Sequence, residues 1–246
     1  MNVRTSLIGP RRLLTNTPHV IHISGTIDGS MVHQFTKSFT AAVASGQYII
    51  PIIIHSDGGN VVDAIAIIDL IKTSPVPVAT IVPANAQSAA VLILSAGTEG
   101  YRYVGPLATL MLHQCSMGGI CGTLTEVSNE TRELKRVNDL MFRAMACNCK
   151  QESDYFMKLI SAKGRSPGTD LYLNATQAKE HNIACHIGVP KCEVRLHARM
   201  WLHNDSNWRR LDTGIERIIN MGSSSYRVLK RKRNNDDSDE DSDDDE

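Results

Sequence analysis

Aromatic side chains are scarce, at 5% of 246 residues, with two Trp and four Phe. A core must therefore come from aliphatic residues, and hydrophobic types at 42% supply enough of them to exclude disorder of the whole chain. No apolar run reaches the roughly 18 residues that a membrane helix needs, so no spanning segment is expected. The first twenty residues carry Arg4, Arg11, Arg12 and Pro10 without a long apolar block, which does not read as a secretory signal. The six cysteines are accordingly expected as free thiols. Cys147-Asn148-Cys149 is too tightly spaced for a usual zinc knuckle, and Cys185, His186 and Cys192 read as buried small residues rather than metal ligands.

Net charge is also absent, but as a sum of unlike parts. Residues 236–246 carry nine acids, and Arg227, Lys230, Arg231, Lys232 and Arg233 carry five bases. Taking these from the 26 acids and 26 bases of the chain leaves 17 and 21 over residues 1–226, a body near +4. Nucleic acid is not an expected partner of such a body. The tail reads as solvated, with Ser238 and Ser242 set among acids where an acid-directed kinase would act. The expected location is cytoplasmic, with nuclear entry left open by the Lys230–Arg233 run.

What is present alternates between strand and helix signals. Residues 20–24 read as a strand ending at Gly25. Met31, Phe35, Phe39 and Ala42 repeat at helical spacing. Ile49–Ile54 is a run suited to a strand buried on both faces, followed by a turn cluster at Ser56–Asn60. A helix is predicted over Val61–Lys72, a strand over Val78–Val82, and a helix over Ser88–Ala96 that Gly97 would close in the left-handed conformation. Further strands are expected at Arg102–Gly105 and Thr109–His113, and a long helix over 124–146. The alternation predicts an α/β fold with a mostly parallel sheet and crossover helices. Three parts are expected: a domain over 1–196, a helical extension over 197–222, and a disordered basic-then-acidic tail over 223–246. In the extension, Asp205-Ser206 would cap a helix carrying Leu211, Ile215, Ile218 and Ile219.

Ser88 by itself reads as a helix cap, His113 as a structural partner at a strand end, and Asp170 as a turn residue. Their surroundings say more. Gly58-Gly59, Ala86-Gln87-Ser88, Met111-Leu112-His113-Gln114 and Asp170-Leu171-Tyr172-Leu173-Asn174-Ala175 follow one another, with gaps of 29 from Gly59 to Ser88 and 25 from Ser88 to His113. Arg12-Leu13-Leu14 and Gly25-Thr26-Ile27-Asp28 precede them, and Ala178-Lys179-Glu180-His181-Asn182-Ile183 follows. Over residues 11–196 these words resemble the proteolytic subunit of the Clp protease, a self-compartmentalised serine peptidase of the ClpP/crotonase-like fold.

The resemblance implies Ser88 as nucleophile, His113 as general base and Asp170 as the carboxylate orienting the imidazole. It implies an oxyanion hole from the backbone N–H groups of Gly59 and Ala89. Gly58, Asn60, Val61, Gln114, Cys115, Ser116 and Met117 would flank an extended polypeptide substrate. Helix 124–146 would be the handle between two stacked heptameric rings of a homo-oligomer, with an AAA+ unfoldase as an open partner and no cofactor or metal. Asp57, Ala84 and Ala89 stand where the family has proline, glycine and methionine, and Ile53 where its docking surface has an aromatic. The gap of 57 from His113 to Asp170 is long for the family, with the surplus near Ser161–Thr169. Two other readings stay open: a ring subunit of low or no activity, and a crotonase-type acyl-CoA hydratase or isomerase.

Overall fold

The computed structural model describes residues 18–119, 121–162 and 170–190, and the backbone of five strands between 193 and 228. The Arg12–Leu14 word, Lys163–Thr169, Cys192 and the charged tail after Val228 lie outside the described residues. Pro18–Pro190 forms one compact unit.

Its sheet is built on β2 (Ile50–Gly59), which pairs in parallel with β1 (Ile21–Ile27) on one side and β3 (Val78–Val82) on the other. β4 (Asn85–Gln87), β5 (Arg102–Val104), β6 (Thr109–Leu112), β7 (Leu171–Asn174) and β8 (His186–Ile187) complete eight strands in the order β7-β6-β4-β2-β3-β5-β8, with β1 also on β2. Every described pairing in this sheet is parallel except β6 with β7. The mostly parallel α/β fold expected from the alternation is therefore present.

The crossovers are α1 (Gly29–Ala44), α2 (Val61–Lys72) and α3 (Ala89–Ala96), followed by α4 (Leu124–Asn148), α5 (Tyr155–Ile160) and α6 (Ala175–Glu180). Short polar side chains start several of them. Asp28 Oδ1 accepts the Met31 N–H, and Asn60 Oδ1 accepts the N–H groups of Val62 and Asp63. Thr123 and Glu126 form a reciprocal capping box at the head of α4. The core is aliphatic, as the scarcity of aromatics demands, with Ile23, Ile50, Ile52, Ile54, Ile67 and Ile81 all buried around Phe35, Phe142 and Phe156. Only the second half of α4 enters it, through Met141, Phe142, Met145 and Ala146, while Leu124 at its start is 88% exposed.

Three expectations need correction. The cluster Ser56–Asn60 is not a turn, because β2 runs on to Gly59 while β1 keeps pairing with it (Thr26 with Gly58, Ile27 with Gly59). The register shifts by one residue there, from Ser24 with His55 to Thr26 with Gly58, so that Ser56 and Asp57 of β2 lie opposite Gly25 (φ 85°), and the buried Ser56 hydroxyl donates to the Gly25 carbonyl and accepts the Gly58 N–H. Gly97 follows α3 but at φ −53°, ψ 151°, so no left-handed cap forms. It is small because a Cβ there would run into Thr80 Oγ1.

The third correction concerns the extension predicted as helical. It forms strands: β9 (Glu193–His197), β10 (Met200–Asn204), β11 (Asn207–Leu211), β12 (Ile215–Asn220) and β13 (Ser223–Val228). β10 and β11 pair antiparallel up to Asn204 with Asn207, and the cap expected at Asp205-Ser206 lies outside the described residues. β13, β12 and β9 form a second small sheet. Apolar spacing over so short a stretch fits either structure, and the β-branched and aromatic residues here favour strands. Because β9 pairs with β12, the first compact unit ends at Pro190 rather than at residue 196. Ser223–Val228, expected in the disordered tail, is a strand.

One polar cluster sits in the core beneath β5. The Arg102 side chain is 1% exposed and donates to the carbonyls of Ser95 and Asn148 and to Cys185 Sγ (3.4 Å). Gly100 N–H also donates to that sulfur, at 3.3 Å. Cys185 is thus a hydrogen-bond acceptor rather than the inert small residue expected. Burial acts to raise its thiol pKa, but the Arg102 and Gly100 hydrogen bonds and the guanidinium charge outweigh it and hold the thiol below its usual range. Burial instead pushes the Cys149 thiol up to about 12, against the opposing charge of Arg102. We expect iodoacetamide near neutral pH to alkylate Cys185 well before the buried Cys149, and Arg102→Met to slow the alkylation of Cys185, as read by peptide mass mapping. A depressed folded value means the thiolate contributes stability above the unfolded pKa, and loses it as pH falls through the folded one.

Candidate active site

The segment from β4 into α3 sets the centre of the site. β4 lies between β2 and β6, pairing Ser56 with Ala86 on one side and Gln87 with Met111 on the other. Ser88 follows at φ 54°, ψ −124°, a backbone that costs a residue with a Cβ roughly 1–3 kcal/mol. Its N–H donates to the Met111 carbonyl at 2.7 Å, and its carbonyl accepts the Val91 N–H. The Ser88 side chain makes no capping bond to α3, so the reading of this serine as a plain helix cap fails. All eight residues of α3 are buried, which suits a helix apolar on every face. Its first N–H groups and the positive end of its dipole open beside Ser88.

The freed hydroxyl meets the end of β6. Ser88 Oγ lies 2.7 Å from His113 Nε2. The β4–β6 ladder explains the meeting, because it sets Ser88 beside the strand end that carries His113. Gly58 closes the floor of this turn. At φ 99° it has a backbone that favours glycine, and a Cβ there would stand 2.8 Å from Ser88 Cβ, 2.7 Å from the Gln87 carbonyl oxygen and 3.2 Å from Ala89 N. Asp57, where a stiffer residue was expected, is held by Asn85 Nδ2 donating to its Oδ1 at 2.6 Å.

Asp170 is placed less completely. The antiparallel β6–β7 ladder pairs Leu112 with Leu171, so one further step sets His113 opposite Asp170. Asp170 is exposed, and among the described residues no hydrogen bond or ion pair joins it to the imidazole. The structure brings Ser88 and His113 into contact and leaves Asp170 as a neighbour in register.

Comparison with known proteins adds what geometry alone cannot. The family model described as Clp protease matches residues 11–190. The chain belongs to the Clp protease family. The ATP-dependent Clp protease proteolytic subunit 1 of Rhodopirellula baltica is 29% identical over 142 residues, which are 57% of this chain and 59% of that protein. The chain thus spans about three fifths of the length of this curated relative.

Other positions that the Clp protease words single out divide into two groups. Asn60 is spent on the fold: its side chain caps α2, its N–H donates to Ile27 and its carbonyl accepts from Ala64. Val61 is the first residue of α2. An edge for an extended peptide therefore stops at Gly59. On the other side, residues 114–119 continue β6 without regular structure, with Gln114, Ser116 and Met117 exposed and Cys115 half-buried. Burial raises the Cys115 thiol pKa, so it is not set up as a nucleophile.

One residue at the site escaped the motif words. Asn138, in the buried half of α4, accepts the Cys115 N–H on its Oδ1 at 2.9 Å. A signal existed: Asn138 shares a helix face with Leu134, Met141 and Met145, where a polar residue needs a reason. Among the described residues, no three His, Cys, Asp or Glu side chains are grouped to hold a metal ion, and no helix is long and apolar enough to cross a membrane.

Proposed function

We propose that the chain is a serine peptidase that hydrolyses polypeptides. The observation that carries this is the 2.7 Å contact of Ser88 Oγ with His113 Nε2, in a family whose members are named as proteases. In the proposed reaction His113 takes the Ser88 proton as the oxygen attacks a peptide carbonyl, then gives it to the leaving amine. The N–H groups of Ala89, at the head of α3, and of Gly59 hold the tetrahedral oxyanion. Gly58 keeps the floor open, and Gln114, Cys115, Ser116 and Met117 line one side of the peptide. Asp170 orients the imidazole once it turns toward His113.

The working form in this reading is a homo-oligomer of two stacked heptameric rings around a chamber. Support comes from the first half of α4, which packs on little of its own unit and carries Leu124, Val127, Leu134 and Val137. An AAA+ unfoldase would feed it. A ring subunit of low catalytic power is a second reading, favoured by the exposed Asp170 with no bond to His113. Asp170→Asn separates the two. If the carboxylate orients His113 during catalysis, kcat falls by up to about 10⁴-fold. An unchanged kcat would remove Asp170 from the machinery.

The test of the main reading is hydrolysis of short fluorogenic peptides by the full chain at its native mass. Turnover by a multi-subunit species supports it. Hydration of an enoyl-CoA without peptide turnover would replace it with the crotonase-type activity.

A further inference from the structure

We infer that Asn138 is a positioning residue of the active site, seating the chain that carries His113 against α4. The inference rests on the hydrolytic reading of the Ser88–His113 pair. Asn138 is 8% exposed and has both ends of its amide engaged. Oδ1 accepts the Cys115 N–H at 2.9 Å, and Nδ2 donates to Met157 Sδ of α5 at 3.5 Å. Sulfur is a weak acceptor, so the bond to Cys115 is the stronger of the two.

That bond has a particular place in the chain. The β6–β7 ladder ends at Leu112, and residues 113–119 belong to no strand. Among the described residues, the Cys115–Asn138 bond is the one hydrogen bond made by residues 114–119. His113 is therefore held by the ladder on one side and by Asn138 two residues later on the other. Gln114 and Ser116, on either side of the anchored residue, are exposed. Without the anchor the segment would leave α4, and the imidazole would lose its fixed distance to Ser88. A misplacement near 1 Å costs roughly 10²-fold in rate.

The test compares three variants of the full chain with wild type. Asn138→Leu keeps the volume and removes the acceptor. Asn138→Asp keeps an acceptor for Cys115. Met157→Leu removes only the sulfur contact. The readouts are the rate at which a fluorophosphonate labels Ser88, and kcat and KM on a short peptide. We expect Asn138→Leu to slow labelling and lower kcat by roughly 10²-fold. Asn138→Asp should recover most of the loss, and Met157→Leu should match wild type. Wild-type labelling by Asn138→Leu, or equal impairment of the Leu and Asp variants, would overturn the inference. Hydrogen exchange on the wild-type protein reads the anchor without any variant. A protected Cys115 amide supports it, and free exchange there overturns it. Failure of wild type to label at Ser88 would instead overturn the hydrolytic reading on which the inference stands.

Discussion

Ser88→Ala should lower peptide hydrolysis by roughly 10⁴–10⁶-fold while leaving the fold and native mass unchanged. The size follows from what the serine does. In the proposed reaction it supplies the nucleophile, and its loss also leaves His113 with no hydroxyl to activate, so the two cannot be partitioned. The fold should be indifferent because, among the described residues, Ser88 Oγ hydrogen-bonds to His113 alone and caps nothing in α3. Alanine tolerates φ 54° no worse than serine does, so the strained turn is carried over. Residual hydrolysis would come from the proposed oxyanion donors, which the substitution does not touch. The check is a progress curve at high enzyme concentration, alongside thermal melting. Hydrolysis within tenfold of wild type would remove Ser88 from the reaction.

The second large effect is expected at Gly58, whose side chain is a single hydrogen. Gly58→Ala should destabilise the protein by about 1–3 kcal/mol and slow hydrolysis by at least roughly 10²-fold. The new methyl would stand 2.7 Å from the Gln87 carbonyl oxygen and 2.8 Å from Ser88 Cβ, neither of which is the far end of a flexible side chain. Something must move, and what moves is the turn holding Ser88. The φ of 99° adds strain that alanine does not relieve. The discriminating control is Gly100→Ala, which also has a positive φ (82°) but meets nothing within 4 Å. That variant should lose stability and keep its rate per folded molecule. Equal rates for the two variants would show that the close approach at Gly58 does not position Ser88.

These expectations show where the chain was legible. The helix over Val61–Lys72 could be read because its apolar residues recur at helical spacing and Pro75 and Pro77 follow it closely. The buried strand before it was readable as well, but its end was not. Ser56, Asp57, Gly58 and Gly59 are turn-forming residues by local preference, and β1 overrides that preference by pairing with them. Gly97 misled in a related way, since a glycine after a helix is needed here for room against Thr80 and not for its backbone freedom. The strands after residue 193 failed for want of length, five or six residues each, over which helical and extended periodicities coincide.

The site was legible in words and not in single residues. Ser88 and His113 stand 25 positions apart, and no local pattern says that two parallel strands will bring them together. Only the order and gaps of several motifs carried that. Asn138 lay within reach of reasoning, as a polar residue on a buried helical face, but its partner is a backbone amide, which no side-chain pattern reveals.

The central claim is that Ser88 is a nucleophile activated by His113. The most direct measurement is mass spectrometry of the native full-length protein after treatment with a fluorophosphonate, in parallel with His113→Ala. The account predicts one covalent adduct per chain, on Ser88, formed readily in wild type and lost in the His113 variant. Absence of any adduct on Ser88 in the native protein, or equal labelling with His113 removed, would contradict it.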